Sequence, residues 1–98
     1  MPASRRNTLR IDSQDNVAVA LEEIPAGSTV ACHGENVVAA TTIPFAHKIA
    51  LVRIRKGTPV LKYGVPIAFA TADIGAGAWV HEHNAKSYFV AKKEEGIR

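Results

Sequence analysis

The sequence predicts a mainly β, barrel-like domain of short strands, and two observations carry that expectation. The first is a pattern that occurs three times: "ALEEIPAGSTV" at 20–30, "ALVRIRKGTPV" at 50–60 and "ATADIGAGAWV" at 70–80, each with Ala, Ile, Gly and Val at the same offsets. Ile24, Ile54 and Ile74 read as anchors that tie short turns to a core. Gly27, Gly57 and Gly77 read as positive-φ or close-packed positions, with a strand beginning toward the next valine. Spacings of 30 and 20 residues are unequal, which excludes a stacked solenoid and leaves one corner reused in a compact fold. The second observation is that short runs with strand-like residue types are separated by Gly, Pro or Asn throughout the chain.

Taken in order, "TLRI" (8–11) reads as a first short strand. "SQDNVAVALEEI" is the best helix candidate, with Asp15 as its cap and Val17, Leu21 and Ile24 at helical spacing, although Val17, Val19 and Leu21 also alternate as in a strand. "STVACH" (28–33) and "NVVAAT" (36–41) form a hairpin with residues 34–36 in its turn. "HKIALV" (47–52), "TPVLKY" (58–63), "PIAFA" (66–70) and "AWVHEHN" (78–84) read as further strands, and "KKEEGIR" as a polar tail. The division expected is an arm over 1–14, a domain over 15–88 and a tail over 89–98.

A chain of 98 residues with 47% hydrophobic and 21% charged residues holds one modest core and has no room for a second domain. Twelve Lys and Arg against nine Asp and Glu give a net charge of +3. The excess sits at Arg5, Arg6 and Arg10 and at Arg53, Arg55 and Lys56, which suits a small carboxylate or a protein partner. Nucleic acid is not expected, because no long basic run or stacking pattern of aromatics is present. The first residues lack the apolar core of a signal peptide, and no run approaches the roughly 18 apolar residues that cross a bilayer. A cytoplasmic protein without membrane contact is expected. Cys32, the single cysteine, reads as a small apolar filler.

Three places carry residue types with chemical capacity. If "WVHEHN" were strand to its end, His81 and His83 would share one face about 7 Å apart, a spacing that permits metal ligation without requiring it. A third ligand would have to come from elsewhere, with His47 and His33 as candidates; two solvent-facing histidines at a strand end are the plainer reading. In "AHKIAL", Lys48 can neutralise a carboxylate while His47 can donate, accept or ligate. In "LKYGVP", Lys62, Tyr63 and Gly64 would bring together a cation, a phenol and exposed backbone N–H groups, a grip for a polyhydroxy acid. No phosphate loop, Cys-x-x-Cys or nucleophile–base motif is present.

From His47 to Asn84 the sequence strongly resembles the N-terminal domain of the altronate and galactarate dehydratases and the small subunit of the related sulfolactate sulfo-lyase. The family runs H-K-x-A-L-x-x-I-x-x-G, then K-Y-G-x-x-I-G-x-A, then D-I-x-x-G-x-x-V-H-x-H-N. "DNVAVAL" extends the match to 15–84, and Ala68 stands where the family pattern has Gly. The resemblance implies a SAF-type β-clip fold with one or two short helices and a lyase acting on a sugar acid. It also implies a small subunit active only with a large dehydratase subunit, because single-polypeptide members continue into a much longer domain. On that basis His47 and Lys48 are the catalytic candidates, Lys62, Tyr63, Gly64 and Asn84 the substrate-binding ones, and His81 and His83 ligands of a divalent metal, Fe2+ or Mn2+. A sulfo-lyase small subunit and a non-catalytic sugar-acid-binding module are the alternatives, and self-association through an exposed sheet edge is a further expectation.

Overall fold

A computed structural model describes residues 7–32 and 35–88. Within them the elements are nine strands: β1 (Thr8–Leu9), β2 (Val17–Ala20), β3 (Thr29–Cys32), β4 (Glu35–Val38), β5 (Lys48–Ala50), β6 (Pro59–Lys62), β7 (Val65–Ala70), β8 (Trp79–Val80) and β9 (Ala85–Ser87). The tail after Tyr88 and His33 lie outside the described residues.

The centre is an antiparallel sheet in the order β1-β2-β5-β8. Because successive side chains of a strand point to opposite faces, Ala18, Ala20, Ile49 and Trp79 pack on one side of it, while Val17, Ala50 and Val80 pack on the other. The β3–β4 hairpin covers the first side with Val30, Cys32 and Val37. The β6-β7-β9 sheet covers the second with Val60, Ala68 and Ala70.

This double covering explains a correction to the helix expected over "SQDNVAVALEEI". A strand buried on both faces is apolar at every position, and "VAVA" fits β2 between two cores. Helical spacing would have put Leu21 with Val17 and Ile24 on one buried face, but Leu21 is 42% exposed. Among the described residues only Tyr88, at their C-terminal edge, is helical. The β3–β4 hairpin forms as expected, except that Asn36, placed in its turn by the sequence, pairs with Ala31 inside the ladder.

The three corners are present, and Ile24, Ile54 and Ile74 are buried at each. Gly27, Gly57 and Gly77 adopt φ of 87°, 88° and 88°. A fourth corner, not anticipated, runs from Ala39 through Ile43 and Ala46 to Ile49 at the same offsets, with Ala46 at φ 72° in the glycine position. Each corner turns on one backbone bond: Ser28 N–H donates to Pro25 O, His47 to Pro44, Thr58 to Arg55 and Ala78 to Gly75. A left-handed third residue in such a turn is the type II signature.

The corners close in pairs. Ile24 and Ile43 exchange both backbone hydrogen bonds at 2.9 and 2.8 Å, and Ile54 and Ile74 do so at 2.8 Å each. The left-handed residue of each corner then donates to the leading alanine of its mate: Gly27 to Ala39, Ala46 to Ala20, Gly57 to Ala70 and Gly77 to Ala50. Side chains add to the match, since Asp73 Oδ1 accepts from Lys56 N–H at 2.8 Å and Thr42 Oγ1 accepts from Ala26 N–H at 3.4 Å. The fold is therefore two like clasps on one central sheet.

Alanine substitutions at the corner glycines should rank by what a Cβ meets. Gly27 and Gly57 have nothing within 4 Å, so G27A and G57A should cost only the left-handed strain, about 1–2 kcal/mol. At Gly77 a Cβ would lie 1.9 Å from the Val38 carbonyl oxygen, so G77A should cost about 3 kcal/mol or more, or prevent folding. A46G, relieving the same strain, should be neutral or stabilising by up to about 1 kcal/mol. Urea denaturation of the four variants checks the order; equal losses at the three glycines would contradict it.

Candidate functional site

The turn of the fourth corner ends at His47, the residue before β5, and β8 ends at Val80, opposite Lys48 in the ladder. The same rim of the central sheet therefore carries His47, Lys48, Trp79 and the segment that follows β8. His47 leaves the chain on the Ile49 face, where Trp79 lies directly across from Ile49. The rings of His47 and Trp79 meet edge to face at 5.5 Å, and the Trp79 indole Nε1–H donates to His47 Nδ1 at 3.1 Å.

Beyond Val80 the chain leaves strand geometry, which corrects the expectation that "AWVHEHN" is strand throughout. His81 N–H donates to Asn84 Oδ1, while Asn84 N–H and Ala85 N–H both donate to His81 O, forming a tight turn that leads into β9. His81 and His83 do not share the face of a strand. The turn instead folds both back onto Trp79. His81 stacks on the indole at 5.3 Å and 13°, and lies 4.9 Å from His47; His83 meets the indole at 5.4 Å on a tilt. Three imidazoles thus gather around one indole, and the sequence-predicted His47, His81 and His83 are brought together through Trp79, which sequence reasoning missed. Its position two residues before His81 was the available signal.

Lys48 and His47 do not act from one face. As a strand residue, Lys48 points to the side of Val19 and Val80, its cross-strand partners, on the face covered by β6-β7-β9. There its pKa is lowered, first by burial and then by the nearby charge of Lys62. Lys62 lies over the Tyr63 ring at 5.0 Å. Among the described residues no carboxylate pairs with either ammonium. Two neighbouring like charges with no carboxylate partner among the described residues favour an anion.

Three substrate-binding candidates have groups committed elsewhere: the backbone N–H groups of Tyr63 and Gly64 and the side-chain amide of Asn84. The turn at Tyr63 and Gly64, with φ 59° and 73°, joins β6 to β7 in the type I′ manner. Its N–H groups, expected to be open to a ligand, donate to the buried Asp15 carboxylate, Gly64 at 2.8 Å and Tyr63 at 3.1 Å. Asp15 is thus not a helix cap but the anion that fills this turn from within. Its neighbour Asn16 ties down β6 where its register with β7 shifts, donating to Pro59 O and accepting from Leu61 N–H. Asn84 likewise spends both ends of its amide on the backbone, donating to Trp79 O and accepting from His81. It clasps the imidazole-bearing turn.

The residues present do not complete a metal centre. Among the described residues no three His, Cys, Asp or Glu side chains converge as a bound ion would need.

Short antiparallel strands joined through paired corners define a SAF-type β-clip domain. The chain belongs to the family of the altronate/galactarate dehydratase SAF domain, whose profile matches residues 6–88. It is 43% identical over 79 residues to an altronate dehydratase of Escherichia coli and 37% identical over 82 residues to one of Bacillus subtilis, covering 81% and 84% of this chain. It spans only 16% of the length of each. It is also 40% identical over 45 residues to the (2R)-sulfolactate sulfo-lyase subunit alpha of Paracoccus pantotrophus, covering 46% of this chain and 67% of that subunit.

Asp15 makes this architecture sensitive to acid. Burial raises its pKa, but the backbone N–H groups of Gly64, Asp12, Tyr63 and Ile11 outweigh that and hold it below 3.8. A depressed folded-state value means that the stability it supplies is complete above the unfolded pKa and is lost as pH falls through the folded one. D15N should lose about 1–3 kcal/mol at neutral pH and respond less than wild type to acid below about pH 4, as read by urea denaturation at several pH values. Identical acid responses would contradict this role.

Proposed function

We propose that the chain supplies one wall of a hydro-lyase site, as the small subunit or N-terminal domain of a sugar-acid dehydratase of the altronate/galactarate type, and that it acts with a much larger partner. The observation that carries this reading is the rim itself: three imidazoles around Trp79 on one face and, on the other, two lysines with no carboxylate partner among the described residues. Family membership and the 16% coverage of the altronate dehydratases support it, since the described residues form only one side of the rim. Exposed apolar side chains flank it. Phe45, 67% exposed, stands two residues before His47, and Tyr63, 56% exposed, adjoins Lys62. Both fit a surface covered by a partner.

Dehydration of a sugar acid removes the proton α to a carboxylate and expels the β-hydroxyl, so charge grows on the carboxylate while the leaving oxygen needs a proton. Lys48 and Lys62 supply the positive field for the carboxylate, with Tyr63 offering its phenol to a hydroxyl. His81 and His83, on the exposed turn, are placed to move protons at the leaving oxygen. Two histidines leave a divalent ion such as Fe2+ or Mn2+ short of ligands, so any such ion would draw the rest from the partner.

The likeness to a sulfo-lyase subunit favours a second reading with the same wall and a sulfonate as leaving group. No residue at the rim separates the two. Reconstitution of the chain with its large partner, assayed on altronate, galactarate and sulfolactate, decides between them. H81A and H83A should each lower kcat by about 100-fold or more, and K48M and K62M should mainly raise KM. Full turnover by the chain alone, or unchanged rates in both histidine variants, would overturn the proposal.

A further inference from the structure

The bond between Trp79 and His47 decides what His47 can do. An indole nitrogen is a donor only, so the His47 nitrogen that accepts its hydrogen must present a lone pair. That nitrogen is Nδ1, 3.1 Å from Trp79 Nε1. A neutral imidazole with an unprotonated Nδ1 carries its hydrogen on Nε2. In this arrangement neither nitrogen offers an open lone pair: that of Nδ1 is covered by the indole, and Nε2 is bonded to hydrogen.

Both partners are held from several directions, so the pairing is built into the fold. His47 follows the left-handed Ala46; its N–H donates to Pro44 O at 3.1 Å and its carbonyl accepts from Ala20 N–H at 2.8 Å. Trp79 is fixed by its pairing with Ile49, by the Asn84 side-chain amide on its carbonyl at 2.9 Å, and by the His81 ring stacked on its indole. Strain at Ala46 of about 1–2 kcal/mol is thus located one residue from the imidazole that it aims.

We infer that Trp79 is a positioning residue that locks His47 in the Nε2–H tautomer, making His47 a one-way hydrogen-bond donor. Resting on the function proposed above, its acceptor is the leaving β-hydroxyl oxygen, on the imidazole face of the rim, which gains charge as the C–O bond breaks. His47 transfers no proton in this role; it strengthens one hydrogen bond as the oxygen becomes more basic. This removes His47 from the ligand and base roles that its sequence position left open.

The test is a long-range proton–nitrogen correlation spectrum of the 15N-histidine-labelled chain at neutral pH, compared with W79F. The expected result is a protonated Nε2 and a bare Nδ1 for His47 in the wild type, and a mixture of tautomers in W79F. A protonated Nδ1 in the wild type, or the same single tautomer in W79F, would overturn the inference, and the wild-type spectrum decides even if W79F does not fold. In the enzyme reconstituted with its partner, W79F should lower kcat about 10- to 100-fold with little change in KM. H47Q, whose amide N–H stands where Nε2–H was, should keep more activity than H47A. Equal loss in H47Q and H47A would overturn the donor role. Absence of sugar-acid dehydration in the wild type would instead count against the proposed function and leave the tautomer assignment standing on its spectrum.

Discussion

Everything in this domain hangs on two reciprocal backbone clasps, Ile24 with Ile43 and Ile54 with Ile74. Each joins two turns whose third residue is left-handed, and each turn hands the chain into a strand. A small all-β protein of this kind has no long strand to carry it: its longest, β7, spans Val65–Ala70. Buried isoleucines at the four corners, each contributing about 1.5–3 kcal/mol on burial, supply the anchoring that strand length does not. The clasps also fix register, because the left-handed N–H of one corner bonds the first alanine of its mate.

The site inherits its geometry from this scheme. One clasp delivers His47 to the rim through Ala46, the other delivers Trp79 through Gly77, and the β5–β8 ladder brings the two together. The pleat then separates His47 from Lys48, so the rim presents an imidazole face and a cationic face. The mutual repulsion of the two lysines and the left-handed strain at Ala46 each oppose folding. Residues that oppose folding and yet gather at one rim are expected where binding rather than stability determines their position.

Much of the fold was legible because three corners share Ala, Ile, Gly and Val at fixed offsets. The fourth was hidden by two departures: Ala46 stands where the pattern has glycine and Ile49 where it has valine, and a sequence does not show that a left-handed alanine is held in place by its surroundings. "VAVA" was ambiguous because a strand buried on both faces loses the polar alternation that separates strand from helix. Asp15 was misread for a related reason. An aspartate before an apolar run is the usual sign of a cap, and its true partners, Tyr63 and Gly64, lie far along the chain. The histidines were found, but their relation was not, since Asn84 bends the chain where a strand was expected, and Trp79 binds His47 across the ladder.

The central claim is that the two clasps are the last structure to open. Native-state hydrogen exchange of the amides of Ile24, Ile43, Ile54 and Ile74 tests it most directly. All four should exchange with one free energy, equal to that of global unfolding measured by urea. If one clasp exchanged through a much smaller opening while the other remained closed, the halves would be independent, and the rim that depends on both would need another explanation.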